Sequence, residues 1–335
     1  MRIALIAIAT TLLTPISASS APANRTDSLP IGRCVNTGNH LEAPTENGWG
    51  GKVLTDDDFT NIASAGFTTV RIPVRWDTHA ETAAPYTVDA AYLRRVRHLV
   101  DAARAANLNV IINSHNFLAL HANPDGNRER LAGLWRQIAA TFADTPRDHV
   151  WFEIENEPHD KLDNSNLNAT FAGALAAIRA TNPDRPVIIG GGFWSGIDSL
   201  ATLELPKDPN VVPTFHYYEP FDFTHQGATW VDPSPAVGRD YGTKDDRLRL
   251  TRDVRKISAY IARTGKTPFM GEMGAYEQVP LGQRVKYMTS VRQAFDKLGI
   301  GICAWGYTNT FPLYDHNKKM WVPGMREAMG LAPKQ

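Results

Sequence analysis

The sequence has no excess of charge of either sign. Its 335 residues include 35 Lys and Arg against 35 Asp and Glu, and 43% of them are hydrophobic, as in an ordinary globular protein. Proteins that neutralise the phosphates of nucleic acids or anionic membranes normally carry a basic excess or a Lys/Arg run, and neither is present. We therefore expect a neutral or small, specifically held ligand, and neither a nucleic-acid nor a membrane partner.

Cysteine is nearly absent. The two cysteines, Cys34 and Cys303, stand far apart in short apolar runs. They cannot form the disulfide framework of a small secreted domain, and no histidine stands beside them at zinc-ligand spacing. We predict two buried free thiols. A single bridge is the alternative, if the two runs are the neighbouring first and last strands of a closed barrel.

Long apolar runs are also missing, since no stretch approaches the ~20 apolar residues of a membrane-spanning helix. An apolar run of eleven residues from Ile3 to Leu13 follows Met1-Arg2 and precedes Pro15 and a stretch of small residues. This is the layout of a secretory signal peptide. We predict a signal peptide at residues 1–22 and a secreted or periplasmic domain at 23–335; a disordered tail is the alternative.

From residue 31 onward, short β-rich runs alternate with longer helical patterns, among them 55–66, 89–107 and 246–265. Eight such β-then-α units in one unbroken chain predict an α/β fold, a single (β/α)8 TIM barrel. An open doubly wound sheet is the alternative, but Gly190-Gly191-Gly192 does not form a dinucleotide fingerprint. The strand candidates are Cys34–Asn36, Phe67–Val74, Leu108–Ser114, His149–Glu155, Pro186–Gly190, Val211–His216, Thr267–Gly271 and Ile300–Trp305.

The carboxyl ends of the predicted strands carry polar and aromatic residues, and in such barrels the active site lies at that end. Glu157 and Glu272 end the fourth and seventh strands, on opposite sides of the mouth. Two carboxyl groups cleave a glycosidic bond when one protonates the leaving oxygen and the other attacks. A separation of ~5–5.5 Å gives retention and a wider one inversion, which the sequence leaves open.

Other residues at this end fit the same chemistry. The attacking carboxylate must stay ionised, and Arg71 is the cation expected to hold Glu272 charged, with Tyr218 as a hydrogen-bond donor to it. Asn156 can grip a sugar hydroxyl, and two histidines offer further donors, His115 and His216.

These motifs resemble glycoside hydrolase family 5 from about residue 31 to 329. The resemblance rests on Val70-Arg71-Ile72-Pro73, His115, residues 152–159, Phe215-His216-Tyr217-Tyr218, Gly271-Glu272 and Trp305. It implies a retaining mechanism with Glu157 as acid/base and Glu272 as nucleophile. Arg71, His115, Asn156, His216, Tyr218 and Trp305 match the other active-site positions of the family.

Within the family, the segments 36–44, 135–139 and 218–227 look most like bacterial endo-β-1,4-glucanases, some of which also cut mannan. We expect a poly- or oligosaccharide substrate, no metal or other cofactor, and a monomer. Further substrate-binding candidates are Asn36, Glu42, Asn116, His225 and Trp230. Three departures from the family pattern bear on the choice between glucan and mannan. Asn116 stands where relatives often carry a second histidine, and Gly306-Tyr307 follows Trp305 where close relatives often have an acidic residue. His40 replaces a small or amide residue that is common in the first loop.

Other roles remain open for several of these residues. Glu153 and Glu155 compete with Glu157 for the acid's role, and we expect one in a buried network and the other facing the helix layer. His115 and His216 can be metal ligands, but a His-rich barrel site also wants His-x-His after the first strand and Asp after the eighth. A barrel that binds carbohydrate without cleaving it is the alternative from a different class.

The remaining aromatic and histidine residues divide by position. Trp135 and Trp151 are predicted to lie in the core. The long segment from Tyr217 to Gly242 is predicted to be a substrate-binding loop, and His121 and His225 are loop histidines that we expect to be mostly solvated. Rings placed to stack on sugars are Trp49, Trp194, Tyr217, Trp230 and Trp305.

Overall fold

The structure is a computed structural model in which residues 26–331 are described. Within this range eight parallel strands close into a barrel, with each strand paired to the next and β8 paired to β1. The predicted TIM barrel is thus confirmed. The barrel strands are β1 Arg33–Asn36, β2 Thr69–Ile72, β3 Asn109–Asn113, β4 Val150–Glu153, β5 Val187–Gly190, β6 Val211–Tyr217, β7 Phe269–Met273 and β8 Ile302–Ala304; a small hairpin follows, β9 Tyr314–Asp315 and β10 Met320–Trp321.

Helices surround the barrel, but the fifth unit departs from the predicted repeat. The connection from β5 to β6 carries only a 3₁₀ helix, Ile197–Ala201. Another 3₁₀ helix, Asp77–His79, follows β2. The α-helices are α1 Asp56–Ser64, α2 Ala90–Ala105, α3 Leu118–Ala122, α4 Pro124–Thr141, α5 Leu167–Thr181, α6 Phe221–Thr224, α7 Lys244–Thr264, α8 Leu281–Asp296 and α9 Met325–Ala328.

The capping residues explain where the helices begin and end. Thr55 caps α1, and the Asp89 carboxylate caps α2 by accepting from the Tyr92 N–H. In α7 the cap is Thr243, three residues before the predicted start, because Asp246 completes a capping box with it. Gly265 ends that helix with a left-handed φ of 68°, which glycine adopts without steric cost.

The barrel interior is apolar at its amino end. Trp151 and residues from six other positions on the strands and the first loop form one buried cluster there: Ile31, Cys34, Ile111, Ile188, Phe269 and Cys303. Trp135 is buried in the larger cluster between barrel and helices. Both tryptophans therefore lie in the core, as predicted. The polar residues of the candidate site lie at the opposite, carboxyl end of the barrel.

Cys34 and Cys303 form a disulfide, so the prediction of two free thiols is wrong. The β1–β8 register places the two residues directly opposite each other, and their Cα atoms are 4.1 Å apart. Closure of the barrel brings together residues that are 269 positions apart in sequence. Barrel closure makes β1 and β8 neighbours, so the alternative of a single bridge is the one that the structure has.

The predicted signal peptide, residues 1–22, lies outside the described residues. Among the residues that are described, none of the helices combines the length and the apolar character needed to cross a membrane.

Candidate active site

Two glutamates face each other across the mouth of the barrel. Glu272 is the fourth residue of β7, and Glu157 follows β4. One oxygen of each carboxyl group and a ring nitrogen of His216 all lie within 4.8 Å of one another. A bulge between Phe215 and His216 in β6 sets His216 opposite Glu272. The two carboxyl groups are thus close enough to act on the same bond.

Glu272 is held by fixed donors. Arg71 Nη1 donates to Oε1 at 2.8 Å, and the Tyr218 hydroxyl donates to Oε2 at 2.8 Å. Burial and the nearby Glu157 raise the pKa of Glu272 above its usual value, and the neighbouring His216, Arg71 and Tyr218 oppose part of that rise. Because both oxygens already accept hydrogen bonds, these donors stabilise the ionised form of Glu272.

Glu157 has a different environment. Its side chain is 23% exposed, and its Oε1 lies 2.7 Å from His216 Nδ1. Burial raises the pKa of Glu157 to about 7, and burial lowers the pKa of His216 despite the opposing charge of Glu272. The shared proton is therefore favoured on Glu157, so that a carboxylic acid donates to a neutral imidazole. Two carboxyl groups whose environments differ in this way suit an acid and a nucleophile.

Arg71 organises the floor of the site. It is completely buried and contacts Glu153 through Nε and Nη2, at 2.7 and 2.8 Å. Nη2 also donates to Asn156 Oδ1 at 2.6 Å, and Nη1 donates to Asn36 Oδ1 at 2.9 Å. Glu153 is thus the predicted buried network residue, and Arg71 acts through Glu272 rather than facing the cleft. Glu155, the other competitor, faces α3.

The wall of the cleft is built from His115, Trp305 and Asn156. The His115 ring stacks on Trp305 with 5.7 Å between centroids, and the Trp305 side chain is half-buried. His115 Nε2 lies 3.3 Å from Asn156 Nδ2, and burial lowers the pKa of His115 well below its usual range. Asn116 follows with a positive φ of 62° and a half-buried side chain.

A second aromatic group stands beside Tyr218. His225 packs between Tyr218 and Phe221 and contacts Trp230, which is 53% exposed. Burial lowers the pKa of His225 to about 4, so this histidine is not a solvated loop residue but a neutral part of the wall. Two rings that the sequence did not single out complete the group, Phe311 and Tyr276.

Two of the predicted substrate-binding residues do not face the cleft. Asn36 is completely buried, and its Nδ2 donates to the carbonyls of Gly271 and Ala304. The Glu42 carboxylate accepts from the backbone N–H groups of Asn39 and His40, and burial raises its pKa to about 7. Both side chains shape the structure around the site, because their polar atoms are used inside the protein.

Tyr217 is also misplaced by the prediction. Strand alternation points its side chain outward from the barrel, where it is buried and donates to Asp253 of α7 at 3.0 Å. Trp49 and Trp194 are 44% and 48% exposed, so these rings are accessible to a ligand.

His121 is a buried residue and not the predicted solvated one. It is 1% exposed and lies within 3.2 Å of Glu155 and 3.1 Å of His159, which stacks on Trp194. Sequence reasoning missed this group because Glu155 and His121 are 34 positions apart and meet only when α3 packs over β4. The available signal for a buried polar group was a glutamate, Glu155, within the predicted fourth strand.

Glu157, His216 and Glu272 are also, among the described residues, the group whose ligand atoms come close enough for a metal ion. The chemistry of this set disfavours a cation. The positive guanidinium of Arg71 contacts one Glu272 oxygen, and the Tyr218 hydroxyl donates to the other. The arrangement fits proton transfer and nucleophilic attack better than metal ligation.

The sequence matches the model of a known family over residues 34–310: cellulase, glycosyl hydrolase family 5. A curated relative, Endoglucanase H of Acetivibrio thermocellus, is 34% identical over 276 residues, which are 82% of this chain and 29% of that protein. The chain thus spans less than a third of the length of that relative.

Solved structures share the whole fold. A hyperthermophilic endo-beta-1,4-glucanase in complex with substrate is 39% identical, with a TM-score of 0.86 over 90% of this chain and 97% of that one. Thermotoga maritima Cel5A in complex with mannotriose is 37% identical, with a TM-score of 0.86 over 89% and 97% of the two chains.

Proposed function

Since this chain belongs to the cellulase family, glycosyl hydrolase family 5, we propose that it is a retaining endo-β-1,4-glucanase in which Glu157 is the acid/base and Glu272 the nucleophile. The family match covers most of the chain, and the glutamates fall at the carboxyl end of a TIM barrel. The related structures named above support glucan as the substrate.

The spacing of the two carboxyl groups carries this proposal. One oxygen of Glu157 and one of Glu272 lie within 4.8 Å of each other, whereas inverting glycosidases hold the two carboxyl groups about 6.5–9.5 Å apart to leave room for a water. The short spacing therefore supports direct attack by a carboxylate. The difference in environment supports the proposed roles, because Glu272 is fixed by two donors and burial favours the proton on Glu157.

The proposed reaction proceeds in two steps. Protonated Glu157 donates to the departing glycosidic oxygen while a Glu272 oxygen attacks the anomeric carbon and forms a glycosyl ester. Arg71 and Tyr218 hold that carboxylate in place. In the second step Glu157 removes a proton from a water, the water attacks the anomeric carbon, and Glu272 leaves as the carboxylate.

Mannan is the second candidate substrate. One related structure holds mannotriose, and another of the same enzyme holds cellobiose, so this scaffold accommodates both sugars. The departure at Asn116, which follows the cleft residue His115, supports a substrate preference different from that of relatives with histidine there. Rates on soluble glucan and on mannan, compared at equal chain concentration, decide between them.

We also propose that the protein is secreted and acts as a monomer. The disulfide supports secretion, because structural disulfides persist in oxidising compartments, and the signal-like residues 1–22 agree. The groups that hold the two glutamates, Arg71, His216 and Tyr218, belong to the same barrel, so the proposed site does not need a second chain.

The test is release of reducing ends from soluble β-1,4-glucan. Wild-type protein is expected to release them, Glu272→Ala to lose activity, and azide to restore part of the turnover by replacing the missing nucleophile. Glu129→Ala, on the exposed face of α4, is the matched control and should behave as wild type. Full activity in Glu272→Ala would overturn the nucleophile assignment, and binding without hydrolysis would favour a carbohydrate-binding barrel.

A further inference from the structure

A chain of polar residues runs behind Glu157, on the side away from Glu272. His159 Nδ1 lies 2.6 Å from the backbone oxygen of Glu157, and His159 Nε2 lies 3.1 Å from His121 Nδ1. His121 Nε2 in turn lies 3.2 Å from Glu155 Oε1, with both side chains at most 1% exposed. No step of the proposed reaction uses these three residues.

The direction of hydrogen bonding along this chain is fixed at the end near Glu157. A carbonyl oxygen only accepts, so His159 Nδ1 carries a proton and donates it to the Glu157 oxygen. Neutral His159 then accepts at Nε2, and the donor to it is His121 Nδ1. Because Nε2 of a neutral His121 then carries no proton, its contact with Glu155 Oε1 requires one further proton shared between these two groups. At the other end, Glu155 is held by the Phe117 N–H, which donates to its Oε1 at 3.1 Å.

The backbone of Glu157 needs such support. Its φ is 47°, in the left-handed region that residues with a Cβ seldom adopt. This conformation lies in the loop that follows β4, where the Glu157 carboxyl group contacts His216 at 2.7 Å. Strained positions of this kind persist only when the surrounding structure holds them.

The same histidine also holds the aromatic loop that follows β5. The His159 ring stacks on the Trp194 ring with 5.0 Å between centroids and 9° between planes. The backbone N–H of Trp194 donates to the backbone oxygen of Pro158 at 3.0 Å. His159 therefore has two separable contacts, a hydrogen bond to Glu157 and a ring contact to Trp194.

We propose that His121 and His159 are positioning residues for the acid/base Glu157: the relay Glu155–His121–His159 anchors the Glu157 carbonyl and thereby aims its carboxyl group at the leaving oxygen. This inference rests on the proposed function of Glu157. It adds a requirement that the carboxylate pair alone does not imply, namely that proton donation depends on a histidine that never touches the substrate.

Two substitutions of His159 separate its contacts. His159→Phe keeps a ring against Trp194 but removes the donor to the Glu157 carbonyl. His159→Asn keeps a side-chain N–H near the position of Nδ1 but removes the ring. His159 lies in a loop with its side chain 15% exposed, outside the hydrophobic core, so both variants are expected to fold. His149→Asn, at the opposite end of the same strand region and exposed, is the matched control.

The measurement is kcat/KM on two substrates. Cellotetraose needs its leaving oxygen protonated, whereas 2,4-dinitrophenyl β-cellobioside releases a stable phenolate without an acid. His159→Phe is expected to lower kcat/KM on cellotetraose by roughly 10- to 100-fold, a part of the general-acid contribution, with less than about a twofold change on the aryl glycoside. His159→Asn is expected to retain more activity on cellotetraose, and His149→Asn all of it.

His121→Phe extends the test to the relay. It is expected to lower cellotetraose cleavage selectively, as His159→Phe does; should it fail to fold, the two His159 variants decide. Equal losses on both substrates, or greater activity in His159→Phe than in His159→Asn, would overturn the positioning role. A wild type that cleaves neither substrate would overturn the proposed function instead.

Discussion

Arg71 is the buried cation on which the charges of the cleft depend. It contacts the carboxylates of Glu153 and Glu272 and the amide oxygens of Asn36 and Asn156. Its planar fork of N–H donors suits several acceptors at once, which a lysine ammonium does not match. Arg71 thereby compensates two buried acids, whereas at Glu157 burial outweighs the charge of Arg71 and raises the pKa of that carboxyl to about 7.

The first prediction concerns pH. Burial raises the pKa of Glu157 to about 7, and the acid must be protonated to donate. We expect kcat/KM on soluble cello-oligosaccharides to fall as the pH rises through about 7, because that ratio reports ionisations of the free enzyme. A pH–rate profile between pH 4 and 10 checks this; a rate that stays constant to pH 9 would contradict it.

The second prediction concerns Tyr218. Its hydroxyl donates to Glu272 Oε2 at 2.8 Å and lowers the pKa of that carboxyl. In Tyr218→Phe the pKa of Glu272 should rise, so the acidic limb of the kcat/KM profile should move to higher pH. A hydrogen bond to a charged group is worth about 1.5–3 kcal/mol, so the maximum rate should fall roughly 10- to 100-fold. Tyr86→Phe is the control, and an unchanged acidic limb in Tyr218→Phe would refute the assignment.

At the scale of elements, the seam between β1 and β8 carries a covalent link. The disulfide Cys34–Cys303 closes a loop with a sequence separation of 269 and lies in the apolar cluster at the amino end of the barrel. The carboxylate pair lies at the other end.

The third prediction follows from that placement. Cys34→Ala/Cys303→Ala should lower the free energy of unfolding by about 2–5 kcal/mol, because the unfolded chain regains the entropy of an open loop. Its kcat/KM should equal that of wild type. Denaturant unfolding and initial rates measure the two effects, and equal stability of the two proteins would show that the link does not stabilise the fold.

The elements also show how far sequence reasoning reaches. Strands such as β3 and β5 were predictable because their apolar runs are buried on both faces, and helix starts such as Asp89 were predictable from capping chemistry. The absence of an α-helix between β5 and β6 was not predictable. The regular repeat predicts an α-helix there, but a short 3₁₀ helix is enough to connect the two strands. The predicted direction of the Tyr217 side chain was wrong because successive side chains of a strand point to opposite faces of the sheet. A shift of one position therefore moves a side chain from the inside of the barrel to the outside.

For the whole molecule, position along the strands predicted more of the site than composition did. Glu157, Glu272, Arg71 and Tyr218 were singled out as strand-end residues, and closure of the barrel brings them into one cluster. Contacts between distant segments were harder to predict: the disulfide was foreseeable only as a consequence of barrel closure, and the contact of His121 with Glu155 was missed. The balanced net charge of the chain is compatible with a neutral polysaccharide. The charged groups of the protein that matter for the proposed reaction, Glu157, Glu272 and Arg71, lie together at the mouth of the barrel.

The most direct test of the account is to trap the glycosyl ester. Incubation with 2-deoxy-2-fluoro-β-cellobiosyl fluoride slows the second step, and mass spectrometry of the digested protein locates the label. We predict one cellobiosyl adduct per chain, on the peptide that contains Glu272, with no label in Glu272→Ala. A label on Glu157, or cleavage with inverted anomeric configuration and no adduct, would contradict the central claim.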